Sequence, residues 1–364
     1  MVTYTLTTTP LDSGTFALAA GQWDWCMLSS TRMLMVYMQQ SPNYLYAQVI
    51  DLNGTATPTY RTPHVLGSWS HNAPNFRLRR LDGTRALLMG FNSTAIMARV
   101  LVVNGDFTVT SGTETQATQN SIAAGFSYLP VVPNSSLCLL HYFSTGTATY
   151  MVTLGISGTT VTVTAAETPT PSSSTFYPVQ FPMSDGRIFQ SWPHAAVATS
   201  PHGSGFRDST GAFTALPSPP TISGARHYVP LRNDRILLTG TTSGSVSFAA
   251  LYDGTAWGAA FQIAPLNSNI IATVVLDDYH FMYLTTGALV TGVAGLTGTV
   301  YRYANSSQLV MSSKGNVAID SAVYNEYPGR EFVYKINDQT VLLVYRRSAS
   351  GQIRIALCFL TQPA

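Results

Sequence analysis

A short hairpin recurs along this 364-residue chain, and its period constrains the fold more than any other feature. It is plainest at residues 76–91, where Phe-Arg-Leu-Arg-Arg-Leu and Thr-Arg-Ala-Leu-Leu-Met-Gly-Phe flank Asp82-Gly83. An Asp-Gly pair between two strand-like runs is a strong hairpin signal. Polar turn pairs return at Ser29-Ser30, Asn134-Ser135, Asp185-Gly186, Asn233-Asp234, Asp277-Asp278 and Asn337-Asp338, at steps of 44 to 60 residues. A dense apolar run follows each: 33–38, 86–91, 137–143, 188–192, 236–238, 280–284 and 341–345. Such runs suit strands buried on both faces. Self-similarity at this period marks a propeller or a solenoid.

A second turn series lies roughly 20 residues further along each period: Asn53-Gly54, Asn104-Gly105, Ser157-Gly158, Thr210-Gly211, Asp253-Gly254 and Thr297-Gly298. Glycine supplies the positive φ that tight hairpins need. Each period thus holds four strands, A to D, with the first series at the A–B corner and the second at the C–D corner. Seven A–B corners stand against six C–D corners, and the chain ends on a C-type strand at 353–360. Residues 2–8 supply the missing seventh D strand, which removes the exposed edges of an open array.

The predicted fold is therefore all-β, a single domain over 1–364: a seven-bladed β-propeller of four-stranded antiparallel blades, closed by the N-terminal strand joining the C-terminal blade. The blades fall near 14–66, 67–117, 118–169, 170–219, 220–265, 266–313, and 314–364 with 1–12. The fourth is the least regular, because residues 191–205 carry two prolines. Residues 312–330 read as an extended loop leading into the seventh. A β-sandwich or jelly roll, or two of them, also uses many short strands, but predicts neither seven similar units nor a deficit that one terminus fills.

Composition narrows the functional classes. Charged residues make up 10% of the chain, against roughly 25% in ordinary soluble domains, and the net charge is +2. No strong electrostatic partner follows, so neither specific nucleic-acid binding nor membrane insertion is expected. The N-terminus lacks the basic and apolar regions of a signal peptide. Cys26, Cys138 and Cys358 each sit alone in an apolar run. They read as buried free thiols rather than a disulfide framework or metal site.

Blade geometry sorts the chemistry-bearing residues. A–B and C–D turns share one face, while B–C and D–A loops share the other, around the channel. Asp51, Asp82, Asp106, Asp185, Asp208, Asp234, Asp253, Asp277, Asp278 and Asp338 fall in or beside turns, where Asp is an ordinary turn residue. Asp12, Asp24, Glu114, Glu167, Asp320, Glu326 and Glu331 remain for the loop face, and no spacing selects a catalytic pair. The seven histidines show no metal-ligand spacing; His141 and His280 read as core or inter-blade residues. Arg77, Arg79, Arg80 and Arg85 form the one basic cluster and read as a solvated blade edge or protein contact. No nucleophile elbow, phosphate-binding loop or dinucleotide fingerprint is present. The expectation is no catalytic residue, no metal and no cofactor.

The binding candidates are two echoes, Ser68-Trp69-Ser70-His71 and Ser191-Trp192-Pro193-His194, with Arg226-His227. Trp69, His71, Trp192, His194, Arg226 and His227 all belong to loop-face segments and offer aromatic and hydrogen-bonding groups. The competing reading is that the tryptophans plug gaps between blades. A lectin-like propeller should repeat one aromatic at a fixed blade position. The tryptophans at 23, 25, 69, 192 and 257 do not.

Charge-poor, rich in Thr, Ser and Gly, and without signal peptide or catalytic motif, the chain broadly resembles the structural propeller proteins of tailed-bacteriophage virions. That resemblance implies a non-enzymatic protein, associated with a capsid or tail and made in the host cytoplasm. Its implied partners are other virion proteins, symmetric copies of itself and host-surface glycans. Carbohydrate binding is the alternative, and glycan cleavage from the loop-face acids comes third.

Overall fold

A computed structural model describes residues 5–17, 23–40, 43–52, 58–68, 73–92, 94–122, 128–144, 149–170, 179–183, 185–192, 203–208, 213–217, 220, 226–231, 235–241, 247–264, 269–276, 280–288, 294–305, 308–311, 317–320, 333–337, 340–346 and 352–361. They form seven small antiparallel sheets arranged as a seven-bladed propeller. Blade 1 runs inner to outer through Trp23–Ser29, Arg32–Gln40, Asn43–Asp51 and Thr59–Tyr60. Blade 2 uses Ala73–Arg80, Arg85–Phe91, Ile96–Val103 and Val109–Ser111, and blade 3 uses Tyr128–Asn134, Leu137–Phe143, Thr149–Ser157 and Thr160–Thr170. Blade 4 holds Val179–Pro182, Ile188–Trp192, Gly203–Arg207 and Phe213–Ala215. Blade 5 holds Arg226–Pro230, Ile236–Thr241, Ser247–Tyr252 and Phe261–Ala264. Blade 6 has Asn269–Val275, His280–Ala288, Ala294–Asn305 and Gln308–Met311. Blade 7 takes Val333–Asn337, Thr340–Arg346 and Gln352–Thr361 from the C-terminal region, and its outer strand, Thr5–Ala17, from the N-terminal region. That closing strand pairs continuously from Thr5 opposite Thr361 to Asp12 opposite Arg354.

The recurring corners form because their first residue builds the turn with its own side chain. Asp82 Oδ1 accepts from the Thr84 and Arg85 backbone N–H groups at 2.9 and 2.8 Å and from the Thr84 hydroxyl at 3.1 Å. Asp106, Asn134 and Asp253 make the same bonds to the Thr or Ser two residues on. This mimics a backbone turn and pre-shapes the hairpin. Although partial burial pushes the other way, the bonds from Thr84 and Arg85 hold the Asp82 carboxyl down at about 2. Gly158 provides the positive φ, 58°, at its C–D corner. Asn53-Gly54, Thr210-Gly211, Asn233-Asp234, Asp277-Asp278 and Asp338 lie outside the described residues.

Blade 6 departs from the expectation. Thr297-Gly298 is the middle of the strand Ala294–Asn305, and the next strand, Gln308–Met311, pairs back along its far end, with Gln308 opposite Asn305. Leu296 and Val300 flank the pair and are both buried in the core. Strand alternation therefore continues through the glycine. Residues 300–303 accordingly belong to the C strand, not the D strand. The lead-in expected at 312–330 is also partly structured: Val317–Asp320 adds a second outer strand against Ala294–Asn305. Blades 1 and 2 split their outer edge likewise, with His64–Ser68 and Thr115–Gln116.

The core lies between blades. Alternation gives every strand one face toward the preceding blade and one toward the next. Among the described residues, six apolar clusters result, spanning blades 1–2, 2–3, 4–5, 5–6, 6–7 and 7–1. The largest side chains, Trp23 and Trp25, are wholly buried in the seam between blades 7 and 1.

Candidate functional site

On the loop face, the strand Ile188–Trp192 ends at Trp192, opposite Gly203, and the strand Arg226–Pro230 of the next blade begins with Arg226 and His227, opposite Gly240 and Thr239. An outgoing B strand and an incoming A strand meet the same end of the ring, so the backbone brings these three positions to one face on neighbouring blades. Ser68, opposite Tyr44, and Ala73, opposite Phe91, stand at that end as well. Trp69, His71 and His194 themselves lie outside the described residues, as do Glu326 and Glu331.

Six described carboxylates, those of Asp24, Asp51, Asp82, Asp106, Asp185 and Asp253, are engaged by the fold. Asp24, assigned to the loop face above, is instead wholly buried on the innermost strand of blade 1. It accepts from the Leu78 N–H of blade 2 at 2.7 Å and lies 3.6 Å from Arg79 Nη1. Asp51 is buried and binds Arg61 at 2.7 Å and Arg32 at 3.3 Å. Both guanidinium groups also cover the Phe107 ring of blade 2, at 3.9 and 4.8 Å from its centre. Arg85 pairs with Asp82 at 2.7 Å and donates to the Gly158 carbonyl of blade 3 at 2.8 Å. Asp185 pairs with Arg187, which covers the Phe206 ring at 4.2 Å.

The basic strand is corrected too. Arg77 is 1% exposed, stands 5.7 Å from the Tyr128 ring centre and donates to the Phe76 carbonyl. It belongs to an inner strand packed between blades, not to a solvated edge; only Arg80 is exposed.

One buried polar constellation escapes linear reading. Between blades 3 and 4, Gln180 Nε2 donates to the Leu129 and Leu139 carbonyls at 2.7 and 3.1 Å. Gln190 Nε2 donates to Gln180 Oε1 at 3.2 Å and contacts Met151 Sδ at 3.5 Å, and Arg207 Nε donates to Gln190 Oε1 at 3.1 Å. His141, opposite Met151, faces the same seam. Burial, with the Arg207 charge second, pushes its imidazole down to about 3, so the ring is neutral. His141 is thus the inter-blade residue expected. Cys26 and Cys138 are the buried free thiols expected, and burial pushes Cys138 up to about 12.

A recurring aromatic does exist, but only register shows it. Tyr37, Tyr142 and Tyr345 occupy the same B-strand position, facing the preceding blade, in blades 1, 3 and 7. Tyr37 stacks on Tyr46 at 5.5 Å, and Tyr142 on Tyr150 at 5.7 Å. All three are at most 3% exposed, so their rings fill seams.

No family model matches the chain, and no curated protein does. Solved structures match in shape. A periplasmic gluconolactonase from Pseudomonas aeruginosa aligns with a TM-score of 0.54 at 12% identity, over 91% of this chain and 98% of that one. A prolyl endopeptidase, from a study of two such enzymes, aligns with a TM-score of 0.53 at 10% identity over 94% of this chain. This chain spans 50% of that protein's length. An uncharacterised protein from Listeria monocytogenes aligns with a TM-score of 0.51 at 9% identity, over 94% and 96%. The likeness is one of fold. It extends to hydrolytic enzymes and does not single out virion proteins.

Proposed function

We propose that this protein is a non-enzymatic docking ring, one that attaches to other proteins of an assembled particle through its loop face. A tailed-phage capsid or tail is the setting that its composition suits best. The observation that carries the reading is the use of the carboxylates. Asp24 and Asp51 are buried partners of arginines, while Asp82, Asp106, Asp185 and Asp253 are tied into turns. Groups held this way serve architecture, and a rigid closed ring leaves its longer loops to make contacts. Trp69, His71, Trp192, His194, Arg226 and His227 are the contact candidates on that face. The buried tyrosine rows favour packing over a repeated sugar platform.

The fold carries hydrolysis in other proteins, so that outcome is tested first. Purified protein is assayed on lactone, peptide and polysaccharide substrates, then mixed with particle extract from its source. The expected result is no turnover, with capture of particle proteins that is lost in Trp69→Ala and Trp192→Ala and kept in Arg80→Ala on the turn face. Turnover above the uncatalysed rate, or capture unaffected by both tryptophan variants, overturns the proposal.

A further inference from the structure

The seams of a closed ring bear a common load, so the one built differently determines where the ring gives way. Among the described residues, an apolar cluster spans each of six seams; at the seam between blades 3 and 4, Val131, Leu139, Phe143 and Ile188 are buried on the facing strands but no such cluster joins the two blades, and polar side chains meet there instead. Its centre is the ladder His141, Met151, Gln180, Gln190 and Arg207. Apolar area exposed when a seam parts costs about 25 cal/mol per Å². A hydrogen bond exchanged for bonds to water costs roughly 0.5–1.5 kcal/mol. Entering water can satisfy both glutamine amides, the imidazole and the two carbonyls of blade 3. It can do nothing comparable for the Trp23, Trp25, Met35 and Leu357 cluster between blades 7 and 1.

We propose that the ring opens by parting blades 3 and 4, and not at the seam beside the blade where the two ends of the chain meet. Blades 3 and 4 then separate as intact sheets, because the ladder crosses between them while the strand pairing stays within each. The strand that carries Gln190 also carries Trp192 at its loop-face end, so parting the seam displaces that face. This inference concerns the mechanics of the ring and stands whether or not the protein docks on a particle.

The methionines are natural reporters. Met151 faces the seam between blades 3 and 4, Met183 that between 4 and 5, and Met38 that between 1 and 2. Exposures are 9%, 5% and 5%. Dilute peroxide is applied to the unmodified protein under native conditions, and the sulfoxide at each site is followed by peptide mass spectrometry. Oxidation of Met151 at least threefold faster than both others is expected; any smaller ratio overturns the proposal. Thiol pairs remove the difference in native exposure, since adjacent residues on one strand face opposite seams. His141→Cys is compared with Leu140→Cys, and Gln190→Cys with Phe189→Cys; all four parent residues are wholly buried. All four substitutions leave a cavity in their own seam, and the methionine measurement on the unmodified protein is free of that disturbance. His141→Cys and Gln190→Cys should react with a thiol reagent at least threefold faster than their neighbours, and a smaller ratio in both pairs overturns it. If a variant fails to fold, the methionine ratio decides.

Discussion

Phe107 holds a backbone φ of 67°, the only positive value at a non-glycine position among the described residues. A side chain in this left-handed region costs roughly 1–2 kcal/mol. The offset is visible, because Arg61 and Arg32 cover the ring from blade 1 and Asp51 holds both guanidinium groups in place. Phe107→Gly loses the stacking but relieves the backbone, whereas Phe107→Ala loses the stacking and keeps the strain. Denaturant unfolding should therefore find Phe107→Ala less stable than Phe107→Gly by about 1 kcal/mol. Equal stability would show that the strain is not real. His141 gives a second test at this scale. Its folded pKa, about 3, lies below the ordinary 6.5, so the unfolded chain binds the proton more tightly. The resulting stability is complete above pH 6.5 and is lost as pH falls toward 3. Between pH 7 and pH 5 the loss is about 2 kcal/mol. His141→Gln should flatten that slope, leaving the turn aspartates, Asp82 and Asp253, to act between about pH 4 and pH 2.

Strands and corners were legible where one residue type does one local job. The described Asp and Asn corners lie where the sequence placed them, because the turn is made by a side chain within three residues of itself. Thr297-Gly298 misled for the same reason. A Thr-Gly pair is good turn chemistry, and only its pairing with Leu284 and Val317 shows it to be mid-strand. The true reversal follows Asn305. Asp24 was misplaced because its partners, Leu78 and Arg79, stand some 54 positions away in the next blade. The polar ladder stayed hidden likewise, since Gln180, Gln190, Arg207 and His141 become neighbours only when two sheets face each other. The Asp24 contact gives the prediction at this scale. Asp24→Ala leaves the Leu78 N–H unpaired in the core and Arg79 without its nearby carboxylate. Unfolding measurements should show a loss of about 3 kcal/mol. A loss below roughly 1 kcal/mol would mean that water replaces the carboxylate.

For the whole molecule, the deciding contact is Thr5–Ala17 along Gln352–Thr361. The ring closes through it, and the deficit of one C–D corner announced it in the sequence. Deleting residues 1–17 should leave the Gln352–Thr361 edge unpaired, lower the thermal midpoint by on the order of 10 °C and produce concentration-dependent oligomers. Light scattering and calorimetry check both. A deletion variant that stays monomeric with an unchanged midpoint would show that the closing strand is dispensable.

That same strand has a consequence for how the protein is made. Thr5 emerges from the ribosome 356 residues ahead of its partner Thr361 (361 − 5). The blades between can fold in order as they appear, but the ring has no means of closing until residues 352–361 have been made. Throughout synthesis the first strand must wait unpaired beside partly built neighbours, and a chain released early never acquires its mate. Such a fragment carries an uncovered sheet edge, which is the surface that other unfinished chains would join. Closure therefore acts as a check that synthesis has run from Thr5 through Thr361 before any partner is met.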